Sequence, residues 1–311
     1  MKSKINVIVK QIIHETPAVK RFRLVTTSGA QLPPFSAGSH ITTYLETETG
    51  TIERHYSLVN SPDDFEHYEI CIHLNPESRG GSSFWHHSIS EGHELSISYP
   101  KNHFPLSFRA RHHIFFAAGI GITPFLTMMD ELAREGKSFE LHYAAKSNEH
   151  CAFYIYLQEH YPHACQFYFS TDSVPRRMKP DIMRNQRIGT HVYFCGPEPM
   201  VRQFQEAAIE YGYPEASIHF ELFTPPVPKT RNPFSVELSL SQQTITVGED
   251  ESLLDALLSA GIPAHYSCRV GGCGTCAVEV ASGEIAHYDS VLSEKERAAH
   301  NQMMTCVSRA A

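Results

Sequence analysis

The sequence lacks the features that would place it in a membrane or on a secretory route. Its apolar stretch 114–122 is far shorter than a helix that crosses a bilayer. The N-terminal apolar run 5–9 is broken by Lys10, is too short for a signal-peptide core, and has no small-residue cleavage site after it. Low-complexity tracts and internal repeats are also missing. These absences predict a globular cytoplasmic protein with no membrane partner.

Positive charge and cysteine are both scarce. The formal net charge of the 311 residues is −8, whereas nucleic acids and anionic membranes attract basic surfaces. Nucleic acid is therefore not expected as a partner. Eight cysteines are too few for a disulfide scaffold. Four are scattered and four gather near the C-terminus, and such clustering in a cytosolic protein suggests metal or redox chemistry.

The patterns that are present divide the chain into three segments and a linker. Residues 1–106 contain short alternating runs separated by turn residues, which predicts an antiparallel β-barrel. Residues 107–224 alternate strand-like and helix-like runs, the pattern of a parallel α/β sheet. Residues 225–233 are rich in proline and predict a semi-rigid linker. Residues 234–311 form the third domain, which holds the clustered cysteines.

These patterns also give bounds for individual elements. In the first segment the predicted strands are 5–13, 19–26, 40–46, 52–59, 68–74 and 94–98. In the second, the predicted strands are 113–118, 139–145 and 191–195, and the predicted helices are 124–136 and 199–211. In the third, strands 234–240 and 244–247 precede a helix at 252–260.

The cysteine spacing is the strongest chemical signal. Cys268, Cys273, Cys276 and Cys306 reproduce the C-x4-C-x2-C…C pattern of plant-type [2Fe–2S] ligation. Two irons that share two sulfides need four thiolates, and glycines between the cysteines let the backbone wrap closely. A structural zinc site usually shows two short cysteine pairs, and a thioredoxin-like pair needs no third or fourth cysteine. The spacing therefore favours the [2Fe–2S] cluster.

Such a cluster accepts one electron at a time, whereas a nicotinamide delivers two as hydride, so a flavin is expected between them. Gly119, Gly121 and Thr123 follow a predicted buried strand, where glycines let a dinucleotide approach the backbone. Cys195 and Gly196 end a second strand, and ligands of open α/β sheets bind beyond such ends. A simple glycine packing turn is the alternative, because the motif is not the full dinucleotide fingerprint.

The first segment offers groups suited to a flavin. Arg54, Tyr56 and Ser57 supply a cation, an aromatic ring and a hydroxyl on one strand, with Ser57 facing away from the other two. The turn from Arg79 through Gly81 to Ser82 opens a helix and could hold a phosphate with backbone amides. Arg54 could instead be an exposed strand charge, so each feature alone is modest evidence.

Together these residues make the chain resemble the phthalate dioxygenase reductase family, within the ferredoxin–NADP reductase superfamily, over essentially its whole length. The shared motifs are Arg54-x-Tyr56-Ser57-Leu58, Arg79-Gly-Gly-Ser82, Pro100-x-x-x-Phe104-Pro105, Gly119-x-Gly121-Ile-Thr123-Pro124, Cys195-Gly196-Pro197, His219-Phe220-Glu221-x-Phe223 and the four cysteines. The resemblance implies a flavin barrel, a nicotinamide domain and a C-terminal β-grasp ferredoxin domain.

The resemblance also implies cofactors and residue roles. It implies FMN, although related barrels bind FAD, and it assigns phosphate contacts to Arg54 and Ser82. Tyr56 would pack on the flavin and Ser57 would bond near its reactive nitrogen. Thr123 and Cys195 would lie near flavin and nicotinamide. Phe223 would lie near the face where the nicotinamide enters.

Two departures from the family pattern bear on these expectations. The family tends to have Thr-Arg-Asp after the second strand of the nicotinamide domain, where this chain has Lys146-Ser147-Asn148 after Ala145. An acidic group favours the free ribose of NADH, so NADH is expected and NADPH stays possible. Family chains also continue past Cys-Val-Ser-Arg into a final strand. Because this sequence ends at Ala311, either it is truncated or the ferredoxin domain closes differently.

The preferred interpretation is the reductase component of a two-component system, with a terminal Rieske-type oxygenase as its partner. In this interpretation NADH reduces FMN, and single electrons leave through the cluster. A stand-alone NAD(P)H-dependent reductase that acts on small acceptors or haem is the second interpretation. A non-catalytic carrier that kept the fold is the third, and the intact flavin and nicotinamide motifs speak against it.

Overall fold

A computed structural model describes residues 4–47, 50–76, 80–172, 174, 176–228 and 231–311. The chain folds into two compact units, Met1–Glu221 and Leu222–Ala311. Among the described residues, no helix has the length and apolar character needed to cross a membrane.

The first unit begins with an antiparallel sheet. Its strands are β1 (Lys4–Thr16), β2 (Val19–Thr26), β3 (His40–Thr47), β4 (Gly50–Ser57), β5 (Tyr68–His73) and β6 (Glu94–Ser98). They run in the order β4-β3-β6-β1-β2-β5. A bridge between Leu58 and Ile70 brings the chain after β4 to β5 at the far edge. The sheet thus curls around the apolar residues that alternate along its strands. Helix α1 (Gly81–His87) covers one part of this core with the fully buried Trp85.

A parallel sheet follows in the same unit. Its strands are β7 (His112–Ala118), β8 (Phe139–Ala145), β9 (Cys165–Phe169), β10 (Thr190–Cys195) and β11 (Ile218–Glu221), in the order β11-β10-β7-β8-β9. Its helices are α2 (Thr123–Arg134), α3 (Tyr154–His160) and α4 (Glu198–Glu210). The strand order changes direction between β7 and β10. In an open α/β sheet this switch point is where a ligand crevice forms, at the carboxyl ends of the strands.

The barrel packs directly on helix α2. The amide of Gly38 donates to Thr127 Oγ1 at 2.9 Å, and Ser61 Oγ donates to the Asp130 carboxylate at 2.8 Å. Gly38 has a φ of 84°, and a Cβ atom added there would collide with the carbonyl oxygen of Phe104, so only glycine fits at this approach. Phe104 and Phe125, one from each side, share the same apolar core. The two sheets of the first unit are therefore joined by one buried interface.

The second unit is a small domain built around short strand pairs. Its elements are β12 (Phe234–Leu238), β13 (Gln243–Val247), α5 (Leu253–Ser259), β14 (Ala277–Glu279), β15 (Ile285–Ala286), α6 (Glu294–Ala298), β16 (Gln302–Met304) and β17 (Arg309–Ala310). The antiparallel pairs are β12 with β13, β14 with β16, and β15 with β17. Ser252 caps α5 by accepting a bond from the Asp255 amide, and Ser293 with Glu296 forms a capping box on α6. Strand β17 pairs with β15 through Ala310 and Arg309.

Candidate functional site

The barrel brings Arg54 to the start of helix α1. A Cβ atom at Gly81 would lie 2.8 Å from Arg54 Cγ and 2.9 Å from Arg54 Cδ, so the arginine side chain lies across the glycine. Ser82 Oγ accepts a hydrogen bond from the Asn75 amide at 3.1 Å. Arg54 and the Gly81–Ser82 turn, which are far apart in sequence, therefore form one polar cluster able to meet a phosphate. The predicted contact Arg79 lies outside the described residues.

The next residues of β4 alternate between its two faces. Tyr56 lies opposite Ile41, and Ser57 lies opposite His40 on β3, so their side chains point to opposite sides of the sheet. The Tyr56 ring meets Trp85 edge-on, with 6.0 Å between ring centres. Burial raises the pKa of Tyr56, although the charge of Arg54 acts in the opposite direction. Its phenol therefore stays neutral, and Trp85 fixes the orientation of a ring that could pack on a flavin.

The glycine loop after β7 meets the end of β10. A Cβ atom at Gly121 would lie 2.8 Å from the Gly196 amide nitrogen and would collide with the carbonyl group of Cys195. Thr123 is buried at the start of α2, and its Oγ1 donates to the Ile120 carbonyl at 3.0 Å. Gly119 adopts a left-handed conformation with φ of 55° and has open space at its Cβ position. The two strand-end motifs thus form one surface at the switch point of the sheet.

A buried carboxyl group adjoins this surface. Glu221 on β11 lies opposite Cys195 on β10. Burial raises the pKa of Glu221 to about 8, so the carboxyl is largely protonated at neutral pH. Its Oε2 has no hydrogen-bond partner within the described part of the chain. Burial is the main reason why the pKa of Cys195 is raised, and the nearby Glu221 raises it further. The thiol of Cys195 therefore stays neutral. The sequence names Cys195 as a site residue and Glu221 only within a shared motif, without a role, and the strand register places the two residues side by side.

In the second unit the four clustered cysteines form two pairs. The Sγ atoms of Cys276 and Cys306 are 3.2 Å apart, and the Cys268 amide donates to Cys273 Sγ at 3.4 Å. A side-chain hydrogen bond with Cys268 lowers the pKa of Cys273 to about 4, and one with Cys306 lowers that of Cys276 to about 6. These hydrogen bonds favour the thiolate, which is the form of cysteine that binds a metal.

The backbone between these cysteines points toward sulfur. The amides of Val270 and Gly272 donate to Cys268 Sγ at 3.5 and 3.3 Å. Gly271 has a φ of 75° and Gly274 a φ of 73°, values that glycine adopts without strain. Two pairs of thiolates with inward amides fit a two-iron cluster, in which each iron takes two cysteines. No group of three His, Cys, Asp or Glu side chains that could hold a metal ion is found among the described residues.

Comparisons with known proteins agree with this geometry. Residues 236–311 match the family described as 2Fe-2S iron-sulfur cluster binding domain, and residues 100–218 match the family described as dimethylamine monooxygenase subunit DmmA-like, N-terminal domain. The chain is 41% identical over 296 residues to a carnitine monooxygenase reductase subunit of Acinetobacter pittii (strain PHEA-2), covering 95% of this chain and 96% of the relative. It is also 37% identical over 310 residues to a haem-dependent oxidative N-demethylase beta subunit of Ectopseudomonas mendocina (strain ymp), covering 99% and 97%.

Among solved structures, phthalate dioxygenase reductase superposes with a TM-score of 0.79 at 31% identity, covering 99% of this chain and 95% of that one. The chain belongs to the phthalate dioxygenase reductase family. The predicted family, the multidomain fold class and the enzyme class are confirmed. This family member is an NAD(P)H-dependent oxidoreductase with flavin and [2Fe–2S] cofactors. The bounds of its domains and the roles of its individual site residues stay predictions.

Buried histidines give this reductase a predictable response to acid. Burial lowers the pKa of His40 to about 3, and that of His113 and His219 to about 4, from an ordinary value of 6.5. Between pH 6.5 and 4 the unfolded chain therefore binds more protons than the folded one, and stability falls as pH falls through that window. At 1.36 kcal/mol per pKa unit, at most about 3 kcal/mol is expected from each of His113 and His219, and at most about 5 kcal/mol from His40.

Urea unfolding from pH 7.5 to 4 measures this response. His113→Asn should show a shallower dependence of the unfolding free energy on pH than the native chain. His150→Asn, which changes an exposed histidine, is the matched control and should keep the native slope. If His113→Asn and the native chain had the same slope, His113 would not be a source of the acid sensitivity.

Proposed function

We propose that the chain is the reductase component of a two-component system whose terminal oxygenase is of the Rieske type. When bound, FMN accepts hydride from NADH and releases electrons singly to the [2Fe–2S] cluster. The pairing of the four cysteines carries this proposal, because an iron–sulfur exit on a nicotinamide-dependent reductase serves a one-electron acceptor. The relatives named as reductase or beta subunits of oxygenase systems support an oxygenase partner. We place this activity in the cytoplasm.

We propose for this chain the domain bounds and the site residues that its sequence predicts. The domains are 1–106 for flavin, 107–224 for nicotinamide, 225–233 for the linker and 234–311 for the ferredoxin fold. The proposed cofactor contacts are Arg54, Tyr56, Ser57, Arg79, Gly81, Ser82, Gly119, Gly121, Thr123, Cys195, Gly196 and Phe223. The proposed catalytic residues among them are Ser57, Thr123 and Cys195, and the cluster ligands are Cys268, Cys273, Cys276 and Cys306.

The chain's own groups suggest how the nicotinamide ring is held. Gly121 and Gly196 let the ends of β7 and β10 pack closely, because a side chain at Gly121 would collide with the Cys195 carbonyl group and one at Gly196 would crowd Ala118. Cys195 presents an apolar, neutral thiol. The protonated Glu221 carboxyl, with a free Oε2, can donate to an amide oxygen such as that of the nicotinamide carboxamide. Phe223 lies in the second unit with 42% of its surface exposed, and its role at the nicotinamide face remains a proposal.

Coenzyme preference depends on the loop after β8. Lys146 and Ser147 stand there, and Ser147 Oγ hydrogen-bonds to His150 Nδ1 at 2.9 Å. The stretch Ala145-Lys146-Ser147-Asn148 has no acidic residue where the family has its aspartate, so no carboxylate of this stretch repels a 2′-phosphate. We propose NADH as the preferred donor, with NADPH accepted less well. Comparing kcat/KM for the two coenzymes tests this, and a higher value for NADPH would contradict it.

A haem-type partner is the second candidate, because the Ectopseudomonas mendocina relative is named a subunit of a haem-dependent demethylase. Two measurements test the proposed function. NADH should bleach the bound flavin, and extraction should release FMN; recovery of FAD would contradict the flavin assignment. The reduced protein should then reduce an isolated Rieske-type oxygenase faster than a haem oxygenase at equal concentration. The reverse order would favour the haem partner.

A further inference from the structure

One carboxylate in the second unit is buried beside the cysteine loop. Asp289 follows strand β15, and its side chain has no exposed surface. Its Oδ2 accepts hydrogen bonds from the amides of Val291 and Leu292 at 3.2 and 2.9 Å. A buried carboxylate is costly unless it is well bonded. These bonds fix the position of the Asp289 side chain within the domain.

Asp289 and its neighbour hold the cysteine loop directly. A Cβ atom at Gly271 would lie 3.0 Å from Asp289 Cα, so the glycine backbone rests on the aspartate. The Ser290 amide donates to the Gly271 carbonyl at 3.0 Å. The Gly271 carbonyl shares its peptide group with the Gly272 amide, which donates to Cys268 Sγ at 3.3 Å, so the other edge of this peptide faces the cluster site.

The same carboxylate also holds the segment after the last cysteine. Ser308 Oγ donates to Asp289 Oδ1 at 3.4 Å, and His287 Nδ1 lies 3.4 Å from the same oxygen. Arg297 of helix α6 donates to the Asp289 carbonyl at 2.6 Å. The loop of the first three cysteines and the flank of Cys306 therefore meet at one residue, Asp289, although they are separated by about thirty residues.

We propose that Asp289 is a positioning residue for the iron–sulfur cluster. The bonds to its carboxylate fix the segment that holds the Gly271 carbonyl, so that the Gly272 amide stays directed at Cys268 Sγ. Hydrogen bonds to the sulfurs are one of the factors that set the potential of such clusters, and outer-shell groups govern metal retention. The proposal rests on the assignment of the four cysteines as ligands, which belongs to the proposed function.

Two variants separate the effect of the hydrogen bonds to Asp289 from the effect of its negative charge. Asp289→Asn keeps the shape and can keep the bonds from Val291 and Leu292, whereas Asp289→Ala loses them. Both variants remove one negative charge, so any difference between them reports the loss of the hydrogen bonds from Val291 and Leu292 alone. Asp289→Ala should release its cluster to a chelator about 10-fold faster than Asp289→Asn. It should also show a more negative midpoint potential and an altered electron paramagnetic resonance (EPR) spectrum after dithionite reduction.

Asp250→Ala is the matched control, because this carboxylate is exposed on the same domain, where it pairs with Arg231. It should keep the native spectrum, potential and cluster retention. If Asp289→Ala does not fold, Gly271→Ala displaces the same contact with the carboxylate intact and should change the EPR spectrum in the same way. Equal spectra, potentials and retention for the alanine and asparagine variants, or a native spectrum for Gly271→Ala, would overturn the proposal.

The test does not depend on the reductase activity. Dithionite reduces the cluster without NADH or flavin, so a protein that failed to oxidise NADH would still report on Asp289. A native protein without any [2Fe–2S] spectrum would refute the ligand assignment and the role of Asp289 with it, whereas identical variants of a protein that holds the cluster would refute the role of Asp289 alone.

Discussion

Replacing Cys273 with serine is expected to abolish the [2Fe–2S] spectrum and electron delivery to an oxygenase, while NADH still reduces the flavin. Cys273 is one of the four proposed cluster ligands, and the hydrogen bond with Cys268 lowers its pKa and favours the thiolate. Serine is a far poorer iron ligand, because its hydroxyl stays protonated at neutral pH. The flavin and nicotinamide residues proposed on the first unit belong to a separate compact unit. Their chemistry should therefore survive loss of the cluster.

The measurement combines the visible spectrum, iron content and stopped-flow reduction by NADH. Cys165→Ser is the matched control, because Cys165 is a free, half-buried cysteine outside the loop, and this variant should keep both cofactors. Flavin that remains bound in Cys273→Ser but is no longer reduced by NADH would contradict the independence of the two units.

The elements that the sequence predicted well are those with strong local patterns. Strands 19–26 and 94–98 were predicted with the bounds that the structure has, and strand 139–145 likewise. These strands have an alternating or a continuous apolar pattern, and turn residues mark where the pattern ends. Such local signals are sufficient to predict where a strand begins and ends. Helix α2 begins at Thr123 and not at Pro124, within the usual uncertainty of helix ends.

The elements that sequence reasoning missed depend on contacts distant in the chain. Strands β9 and β11 are short and lie at the two edges of the parallel sheet, so neither has the continuous apolar run of a central strand. Helix α3 begins after Phe153, which adopts a φ of 62° without being glycine. No local residue preference indicates such a start, because burial of Phe153 in the core stabilises it.

The candidate site shows the same division. The glycines and cysteines could be found because their chemistry requires fixed spacing within one loop. The positioning roles of Trp85, Glu221 and Asp289 could not be predicted, because each depends on a contact with a distant segment. Glu221 meets Cys195 only through the register of β10 and β11. The sequence thus predicts which groups carry the chemistry better than it predicts which groups position them.

Replacing Gly121 with alanine is expected to reduce kcat/KM for NADH about 100-fold, the loss that a displacement of about 1 Å can produce at a reacting centre. The added methyl group would collide with the Cys195 carbonyl and lie 2.8 Å from the Gly196 amide. Backbone atoms cannot rotate away as side chains do, so the ends of β7 and β10 must separate. Such overpacking costs about 3 kcal/mol of folding stability.

Gly136→Ala is the matched control, at the other end of helix α2. It has a φ of 63° and no atom within 4 Å of an added Cβ, so it loses glycine without a collision. A loss of about 1 kcal/mol of stability and native NADH kinetics are expected. Stopped-flow reduction of the flavin by NADH gives the kinetics, and dithionite reduction should be native in both variants, because it bypasses the nicotinamide site. If Gly121→Ala matched the control in both stability and kcat/KM, the contact between the two strand ends would not shape the nicotinamide site.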